Sequence, residues 1–517
     1  YNFCKVVLDR YQNKVKYWMT FNEINNQMLV ENDLYPFTNS GIIFEKDEDR
    51  LPVVYQAVHY QFVASALVTE YAHKLNSNIQ MGCCVAATPN YPNSANPDDI
   101  LLAQSEDRKL LMFTDVQIRG HYPNHLLNEW KNNGYKFDIT DQDLEVMAKG
   151  TYERIGEQSF VTHKVNGEKF RFDHPVKTHK EAIDFMTELL LDPKYNTIKS
   201  LAEIDGIGHR VAQGADKFSS SVIIDEDVIA KIDECAALAP VHNKAAITGI
   251  RAAMEAMPGK PNVAVFDTVF HQTIPEERYT YPIPYKYYEK YGIRKYGFHG
   301  TSHKYVSARI AELLGRPVEE LKTVVCHLGQ GASLCAVKGG KSVDTTMGLT
   351  PLGGIPMCAR SGDLDPSIVT YLMKKENLTP DEMELILNKE SGILGLSGVS
   401  ADFRDIEAEA AKGNKRAELA ISAYAYKVAQ YIAQYIVSLG GLDTIVFTAG
   451  IGENQYNARR RICENLKCFG VEIDEAKNHE FRDEGRISSP NSKVEVWVVP
   501  TNEELMIARD TKDLITK

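Results

Sequence analysis

The 517-residue chain lacks four features, and each absence argues against a class of protein. It has no excess of positive charge, since 58 Lys and Arg against 70 Asp and Glu give a net charge of −12. This argues against a general nucleic-acid or anionic-membrane surface and leaves room only for a local basic anion site. The nine cysteines form no CxxC pair and no zinc-like spacing with histidine, as expected of reduced thiols. No apolar run approaches the roughly 18 residues of a membrane span, and no secretion signal opens the chain. We expect a cytoplasmic protein with neither nucleic acid nor membrane as partner.

What the sequence does contain is ordinary globular composition, with 44% hydrophobic and 25% charged residues. A chain of this length exceeds what one hydrophobic core normally holds, so two or more domains are expected. The pattern of elements changes near residue 150, which predicts a boundary there.

In residues 1–150, the strand-like segment KVKYWMTF runs directly into a polar cluster that begins with Asn22 and Glu23. A buried strand that ends in a carboxylate and amides is typical of the mouth of a β/α barrel, where strand ends present catalytic groups. A helix predicted over 54–76 and a short strand predicted over 79–87 follow. Strand, helix and strand in this order predict a β/α repeat.

TFNEINNQ resembles the family 1 glycosidases, in particular their 6-phospho-β-glucosidase branch, and FTDVQIRGHYPNHL and FDITDQDLEVMAKGT extend the resemblance. It implies that Glu23 is the acid/base and that Asn22 holds a sugar hydroxyl. The stretch spans only about two of the eight β/α units of such a barrel. Retaining hydrolysis also needs a second carboxylate roughly 5 Å away, and the family's I/V-T-E-N-G segment occurs nowhere in the chain. We therefore expect an orphaned acid in a partial TIM-barrel fragment over 1–150.

After residue 150, two buried-strand patterns break at glycine pairs, in TVVCHLGQGASLCAV (323–337) and DTIVFTAGIGEN (443–454). Glycine lets backbone N–H groups approach a ligand closely, and a following helix N-terminus favours an anion such as phosphate. An ordinary tight turn would explain either segment alone. Two such segments in one chain favour a phosphate or nucleotide site.

The loop GLTPLGGIPMCARSGDLDPS places Arg360 among glycine, proline and serine, close to Asp363. An arginine there can hold a phosphate or a carboxylate through two parallel hydrogen bonds. A surface salt bridge to Asp363 explains the local pattern equally well, so both interpretations stay open. Residues 414–439 predict a long helix with a glycine stop, whose Tyr/Ala stripe packs in the core.

Six segments closely resemble the acetate kinases, in the same order: YGFHGTSHKYV, HLGQGAS, MGLTPLGG, ADFRD, FTAGIGEN and PTNEEL. The resemblance runs from ERIGEQ, near residue 150, to the C-terminus. It implies the two-lobed α/β fold shared by actin, heat-shock-70 and sugar kinases (the ASKHA fold). The N-terminal lobe would span 151–268 and be completed by 504–517, and the C-terminal lobe would span 269–503. The resemblance also implies a homodimer and reversible phosphoryl transfer from ATP to acetate with Mg²⁺.

Phosphoryl transfer needs positive charge around the moving group and in-line positioning of both ends. The resemblance assigns Arg210 and Arg360 to the acetate carboxylate and the phosphoryl group. His299 would stabilise the transition state, and His242 would be a second active-site histidine. Asp267 would orient substrate or magnesium.

The metal and the nucleotide receive residues from the same resemblance. Glu503 in PTNEEL would bind magnesium. The nucleotide would contact His327, Gly329, Gln330, Gly331, Asp402, Phe403, Arg404, Gly450, Ile451, Gly452 and Asn454.

The chain departs from the family pattern in three places. Gln330 and Ala332 stand where asparagine and serine are usual, which we expect to be tolerated because backbone amides make most phosphate contacts in such turns. Lys244 stands where proline is common, which affects loop stiffness rather than chemistry. The family's opening strand, its N-A-G-S-S-S-L-K-like turn and its second strand are absent. Their loss is expected to leave a sheet edge unpaired and the phosphate cradle incomplete.

Three interpretations remain open at this point. The chain is an acetate kinase behind a foreign N-terminal extension, a glycosidase fragment, or an inactive fusion of two incomplete enzymes. Residues 147–150 fit both families, so we expect the junction between the two stretches there.

Overall fold

The computed structural model describes residues 2–46, 48–76, 78–84, 113, 116, 130, 146–165, 168–195, 197–480 and 484–516. The chain divides into two compact units, Tyr1–Val146 and Met147–Lys517, and each is described by itself. Residues 139–145, which lead into the expected junction, lie outside the described residues.

The first unit contains one β/α/β repeat. Its helices are α1 (Asn2–Tyr11), α2 (Leu34–Ser40) and α3 (Arg50–Leu75), and β1 (Tyr17–Asn22) pairs in parallel with β2 (Gln80–Cys84). The predicted order of strand, helix and strand is therefore confirmed. The predicted end of the second strand, 85–87, lies outside the described residues.

Helix α3 packs one face into the first unit, where Val54, Val58 and Phe62 share an apolar cluster with Ile24 and Phe113. It is the one helix in the described part of the chain that is long and apolar enough to cross a membrane, although the sequence reading expected no such segment. The core helix of a folded domain passes the same test, so length and composition alone are weak evidence of a membrane span; 33% of the apolar window of α3 is buried.

The second unit is rich in helices. They are α4 (His179–Leu191), α5 (Glu226–Glu234), α6 (Pro240–Ala256), α7 (Glu276–Tyr279), α8 (Lys286–Tyr291), α9 (Gly300–Leu314), α10 (Pro366–Glu376), α11 (Pro380–Leu385), α12 (Gly392–Ser397), α13 (Phe403–Ala411), α14 (Lys415–Leu439), α15 (Ala449–Asn454), α16 (Tyr456–Glu464), α17 (Glu475–Glu480) and α18 (Glu503–Ile515).

The strands of the second unit form three sheets. They are β3 (Ala148–Glu153), β4 (Phe160–Val165), β5 (Glu168–Asp173), β6 (Ile207–Val211), β7 (Val222–Ile223), β8 (Asn262–Phe266), β9 (Lys322–Leu328), β10 (Ala332–Lys338), β11 (Lys341–Thr345), β12 (Thr444–Thr448), β13 (Gly485–Arg486) and β14 (Glu495–Val498). The sheet orders are β3–β4–β5, β6–β8–β7 and β11–β10–β9–β12–β14–β13.

Strand β6 lies at the edge of its sheet. It pairs in parallel with β8, and no described strand pairs with its other edge, as expected where the family's opening hairpin is absent. Helix α18 covers one face of this sheet, and a Cβ added at Gly208 would collide with Ile507 and Thr511. Glycine at 208 therefore allows the helix to approach the strand.

The six-stranded sheet brings the two predicted glycine segments together. β9 and β12 are parallel neighbours, with His327 opposite Thr448. The turn after β9 and the segment after β12 therefore leave the same edge of the sheet, which is where ligands bind in open α/β sheets.

Helix α14 confirms the helix that the sequence predicts over 414–439. Asn414 begins it by accepting hydrogen bonds from two backbone N–H groups of the first turn, and Gly440 ends it in a left-handed conformation. Its Tyr/Ala stripe, including Tyr424 and Tyr435, is buried against the sheet. The stripe is core packing, as the sequence indicated.

The second glycine segment differs from its prediction. Gly450, Ile451 and Gly452 lie inside the short helix α15 rather than in a turn that precedes a helix. Ala449, at φ 64°, makes the sharp exit from β12, so the change of direction falls one residue before the first of these glycines.

Candidate active site

A cavity of about 440 Å³ in the second unit is lined by the residues that the sequence predicts to be catalytic. Its lining comes from the end of β6, the first turns of α6, the end of β8, the start of α9, the turn between β9 and β10, and the 351–360 loop. All five residues predicted to be catalytic line it: Arg210, His242, Asp267, His299 and Arg360. Residues up to 150 positions apart in the sequence thus share one surface.

Arg210 and Asp267 form a two-pronged ion pair at the ends of neighbouring strands. Nε and Nη2 of Arg210 donate to the two carboxylate oxygens of Asp267 at 3.0 and 2.6 Å. Asp267 is 1% exposed, and its charge raises the pKa of the Arg210 guanidinium. The pair fixes the plane of a permanently charged guanidinium at the cavity wall.

Arg360 carries its positive charge into the cavity without a carboxylate partner in the described part of the chain. Nη1 donates to the carbonyl of Pro351 at 3.4 Å, and burial lowers the pKa of the guanidinium. Asp363, the alternative partner, instead accepts from the backbone N–H of Gly354 and the hydroxyl of Tyr431. The salt-bridge interpretation is therefore wrong, and Arg360 is placed to hold an anion.

His299 precedes the first residue of α9 in a left-handed conformation, at φ 57°. The backbone N–H of Gly300 donates to the carbonyl of Asp267 at 2.9 Å, and a Cβ on Gly300 would collide with that oxygen. The glycine therefore lets the start of α9 press against the end of β8. This contact sets His299 beside the Arg210–Asp267 pair.

The His299 ring belongs to a cluster of histidines. It stacks on His327 with ring centroids 4.2 Å apart, and its Nδ1 lies 2.9 Å from the hydroxyl of Ser333. Burial holds the pKa of His299 well below its usual value and lowers that of His327 to about 3. Both rings are therefore neutral near pH 7, and His299 faces the cavity as a neutral imidazole.

His242 lies in the first turn of α6. Burial lowers its pKa, and the charges of Arg360 and Arg210 lower it further. The next residue, Asn243, fastens this turn to the loop after β6 by hydrogen bonds to the backbone N–H and C=O of Gln213. His242 is a neutral polar side chain beside the two arginines.

Glu503, at the start of α18, buries a carboxylate oxygen that has no hydrogen-bond partner in the described residues. Burial raises its pKa, the charge of Arg210 lowers it, and that of Asp267 raises it again. An orphaned buried carboxylate oxygen close to a second carboxylate suits a hard cation such as Mg²⁺, which keeps most of its waters. Within the described chain no three acidic, histidine or cysteine side chains form a closed metal cage, and the two carboxylates fit an open site.

The turn between β9 and β10 faces the catalytic residues. A Cβ on Gly331 would lie 3.4 Å from Nη1 of Arg360 and 3.6 Å from Nε2 of His299. Gly329 closes the turn by donating its N–H to the carbonyl of Gly331 at 3.2 Å, and Gln330 is exposed at its tip.

The segment after β12 is held by side chains of its own. Glu453 accepts from the N–H of Ala449 at 2.7 Å, and Asn454 donates to the carbonyl of Gly450 at 2.9 Å. Gly450 has open space around its Cα, whereas Ile451 and Gly452 are buried. A ligand can reach this segment only at its exposed residues.

In the D-F-R segment at the start of α13, Asp402 caps the helix and Phe403 packs in the core. Asp402 caps the helix by accepting from the N–H of Arg404, and its carboxylate also pairs with the Arg404 guanidinium, which lowers the pKa of Asp402 to about 2. The ring of Phe403 is 3% exposed and packs on Tyr424. The ring of Phe403 therefore anchors the helix in the core. Contact of the D-F-R segment with a nucleotide stays a prediction.

Comparison with known proteins shows the family of the chain. The sequence profile of the acetokinase family matches residues 131–509. The acetate kinase of Clostridium acetobutylicum is 53% identical over 394 residues, which cover 75% of this chain and 97% of that protein. The chain belongs to the acetokinase family.

Two solved structures at more than 40% identity share the fold of this chain. The acetate kinase of Porphyromonas gingivalis aligns with a TM-score of 0.69 at 45% identity, covering 72% of this chain and 94% of that one. A propionate kinase from Francisella tularensis aligns with a TM-score of 0.68 at 42% identity, covering 72% and 95%. The acetokinase match begins at residue 131, upstream of the ERIGEQ segment from which the sequence resemblance was counted.

The glycosyl hydrolase family 1 profile matches residues 1–252, which overlaps the acetokinase match. In the first unit, Glu23 follows β1 in a left-handed conformation, at φ 48°. Its carboxylate accepts from the side chain of Asn26 at 3.0 Å. Asn22 is the last residue of β1, and its side chain lies outside what the structure describes.

Sequence reasoning missed two buried side chains behind His299. Ser333 bonds to His299, and His303 lies one helical turn beyond it in α9. Both stand inside segments already quoted, GASL and GTSH. His303 follows His299 by four residues, which places both on one face of a helix. Ser333 lies on β10 directly after the glycine turn. These positions are the signals from which both residues could have been predicted.

Proposed function

We propose that the chain catalyses reversible phosphoryl transfer from ATP to acetate, giving acetyl phosphate and ADP with Mg²⁺. The observation that carries the proposal is Arg360, a partly buried guanidinium without a carboxylate partner among the described residues, which lines the same cavity as Arg210 and His299. Two fixed positive charges and a neutral N–H donor around one cavity suit a carboxylate and a transferring phosphoryl group. The names of the relatives support acetate as the acceptor.

In this proposal the chain acts by positioning and charge rather than by covalent chemistry. Arg210, held rigidly by Asp267, and Arg360 bind the acetate carboxylate and the phosphoryl group. His299 donates a hydrogen bond to the phosphoryl oxygens as their charge is redistributed. The neutral His242 adds a polar contact beside the arginines without repelling a cation.

Magnesium would be held by Glu503, with Asp267 beside it. When bound, it would neutralise charge on the nucleotide phosphates. The nucleotide itself would lie along the exposed residues of the β9–β10 turn, the start of α15 and Asp402–Arg404. We place the N-terminal lobe over 151–268 with 504–517 and the C-terminal lobe over 269–503, in a cytoplasmic homodimer.

Glycoside hydrolysis has one specific observation in its favour, the placement of Glu23 at the end of β1. It lacks the second carboxylate of the family's nucleophile segment, which is missing from the sequence. We expect no hydrolysis of aryl 6-phospho-β-glucosides.

The reverse reaction tests the proposal. Purified full-length chain with acetyl phosphate, ADP and Mg²⁺ is expected to form ATP, and an Arg360→Ala variant to lose at least about 100-fold in rate. An inactive fusion would give no ATP with the unaltered chain, and hydrolysis of the glycoside substrate would favour the alternative.

A further inference from the structure

Ser333 bridges two histidines inside the second unit. Its Oγ lies 2.9 Å from Nδ1 of His299 and 2.8 Å from Nε2 of His303. Ser333 and His303 are fully buried, whereas His299 also reaches the cavity. The hydroxyl is therefore the one described hydrogen-bond partner of the inner nitrogen of His299.

The protons at this bridge can be placed in two ways. A hydroxyl donates one hydrogen bond, and a neutral imidazole carries one N–H. Either His303 donates to Ser333 and Ser333 donates to His299, or the order is reversed. If both rings donated to Ser333 instead, its buried O–H would have no acceptor among the described residues, which is costly. The pKa values of both histidines lie well below their usual range because of burial, so neither ring carries a second proton near pH 7.

The free nitrogen of His303 favours the first order. Its Nδ1 is buried without a hydrogen-bond partner in the described residues. In the reversed order this nitrogen would carry a proton, and a buried N–H without an acceptor is a rare and costly arrangement. In the first order the proton of His303 is on Nε2, where Ser333 accepts it.

The cavity side of His299 favours the same order. When Ser333 donates to Nδ1, the proton of His299 is on Nε2, the nitrogen that lies near Gly331 and Arg360. When the order is reversed, Nε2 presents a lone pair, which repels an anionic phosphoryl oxygen. An N–H aimed at that position stabilises it.

We propose that Ser333 and His303 are positioning residues that hold His299 in the tautomer with its proton on Nε2, directed into the cavity. The inference rests on the proposed function for its catalytic meaning, whereas the tautomer itself is a property of the protein without substrates. A comparable arrangement of orienting group and histidine governs serine hydrolases.

The kinetic test uses three variants of the full-length chain. Ser333→Ala and His303→Leu are expected to lower kcat about 10-fold, with the KM for acetate and ATP changed by less than about 2-fold, because the loss is in the transition state. His303→Gln can place an amide N–H where Nε2 was and is expected to retain kcat within about 3-fold. Unchanged kcat in both Ser333→Ala and His303→Leu, or no rescue by glutamine, would overturn the proposal.

The spectroscopic test is independent of activity. Nitrogen-15 NMR of histidine-labelled full-length protein, with His299 assigned through a His299→Asn variant, is expected to show a protonated Nε2 and a bare Nδ1. Ser333→Ala is expected to raise the Nδ1–H fraction. A wild-type His299 protonated on Nδ1 would contradict the inference even if the chain is an active kinase. The expected tautomer in a chain without kinase activity would leave the inference standing and reject the proposed function alone.

Discussion

At the scale of single residues, the cavity is defined by charges that lack ordinary partners. Arg360 has no carboxylate in the described chain, and Glu503 has a buried oxygen without a hydrogen-bond donor. Elsewhere in the described chain, Lys295 pairs with Asp344 at 2.7 Å, and the buried Arg459 donates to Asn478 and to backbone carbonyls. One carboxylate oxygen of Glu407 is also buried without a hydrogen-bond partner in the described residues. An unpaired buried charge is costly to maintain, and binding a ligand of opposite charge offsets that cost.

A Glu503→Gln variant tests whether Glu503 binds Mg²⁺. The amide keeps the shape of the side chain but removes its negative charge, so we expect the Mg²⁺ concentration for half-maximal activity to rise about 10-fold or more, with little change in the KM for acetate. Glu504→Gln is the matched control, since Glu504 is exposed and pairs with Lys149 at 2.7 Å. Equal magnesium dependence in the two variants would remove Glu503 from the metal site.

At the scale of elements, close backbone contacts place the catalytic side chains. We expect Gly300→Ala to destabilise the second unit by roughly 1–3 kcal/mol, because the new methyl group would collide with the carbonyl of Asp267. Activity should fall with it, as Asp267 and His299 shift. Gly249→Ala, in the middle of α6 with open space around it, is the control and should be neutral or slightly stabilising. Denaturant titration measures both, and equal stability of the two variants would reject the contact.

Elements with a local signature could be predicted from the sequence, and tertiary pairings could not. Asn414 and the glycine after Leu439 predicted the two ends of α14, and the glycines after β9 predicted the turn at the cavity. The alternative partners of Arg360 stayed undecided, because its distance from Asp363 depends on how the loop packs against Tyr431 of α14. The Ser333 bridge was missed because it joins a strand and a helix about 30 residues apart.

At the scale of the whole molecule, a set of buried neutral histidines links stability to pH. Burial lowers the pKa of His271 to about 4 and that of His327 to about 3. Their unfolded pKa is about 6.5, so below that pH the unfolded chain binds more protons than the folded one. Stability is therefore fully present above pH 6.5 and is lost as the pH falls towards the folded pKa values.

We expect the free energy of unfolding of the second unit to drop by a few kcal/mol between pH 7.5 and 5.5, with each such histidine contributing about 1.4 kcal/mol over that range. Trp497 is the single tryptophan of residues 147–517, so a W18F/W130F variant reports this transition in urea by fluorescence. If the urea concentration at half-unfolding stays constant or rises on acidification, these histidines are not buried in the neutral form.

The central claim is that the cavity of the second unit transfers a phosphoryl group to acetate. The most direct measurement is acetyl phosphate formation by the purified full-length chain with ATP, Mg²⁺ and acetate, trapped as the hydroxamate. We predict acetate-dependent product with the unaltered chain and at least about 100-fold less with Arg360→Ala. Equal signals from the two proteins, or none from either, would contradict the claim.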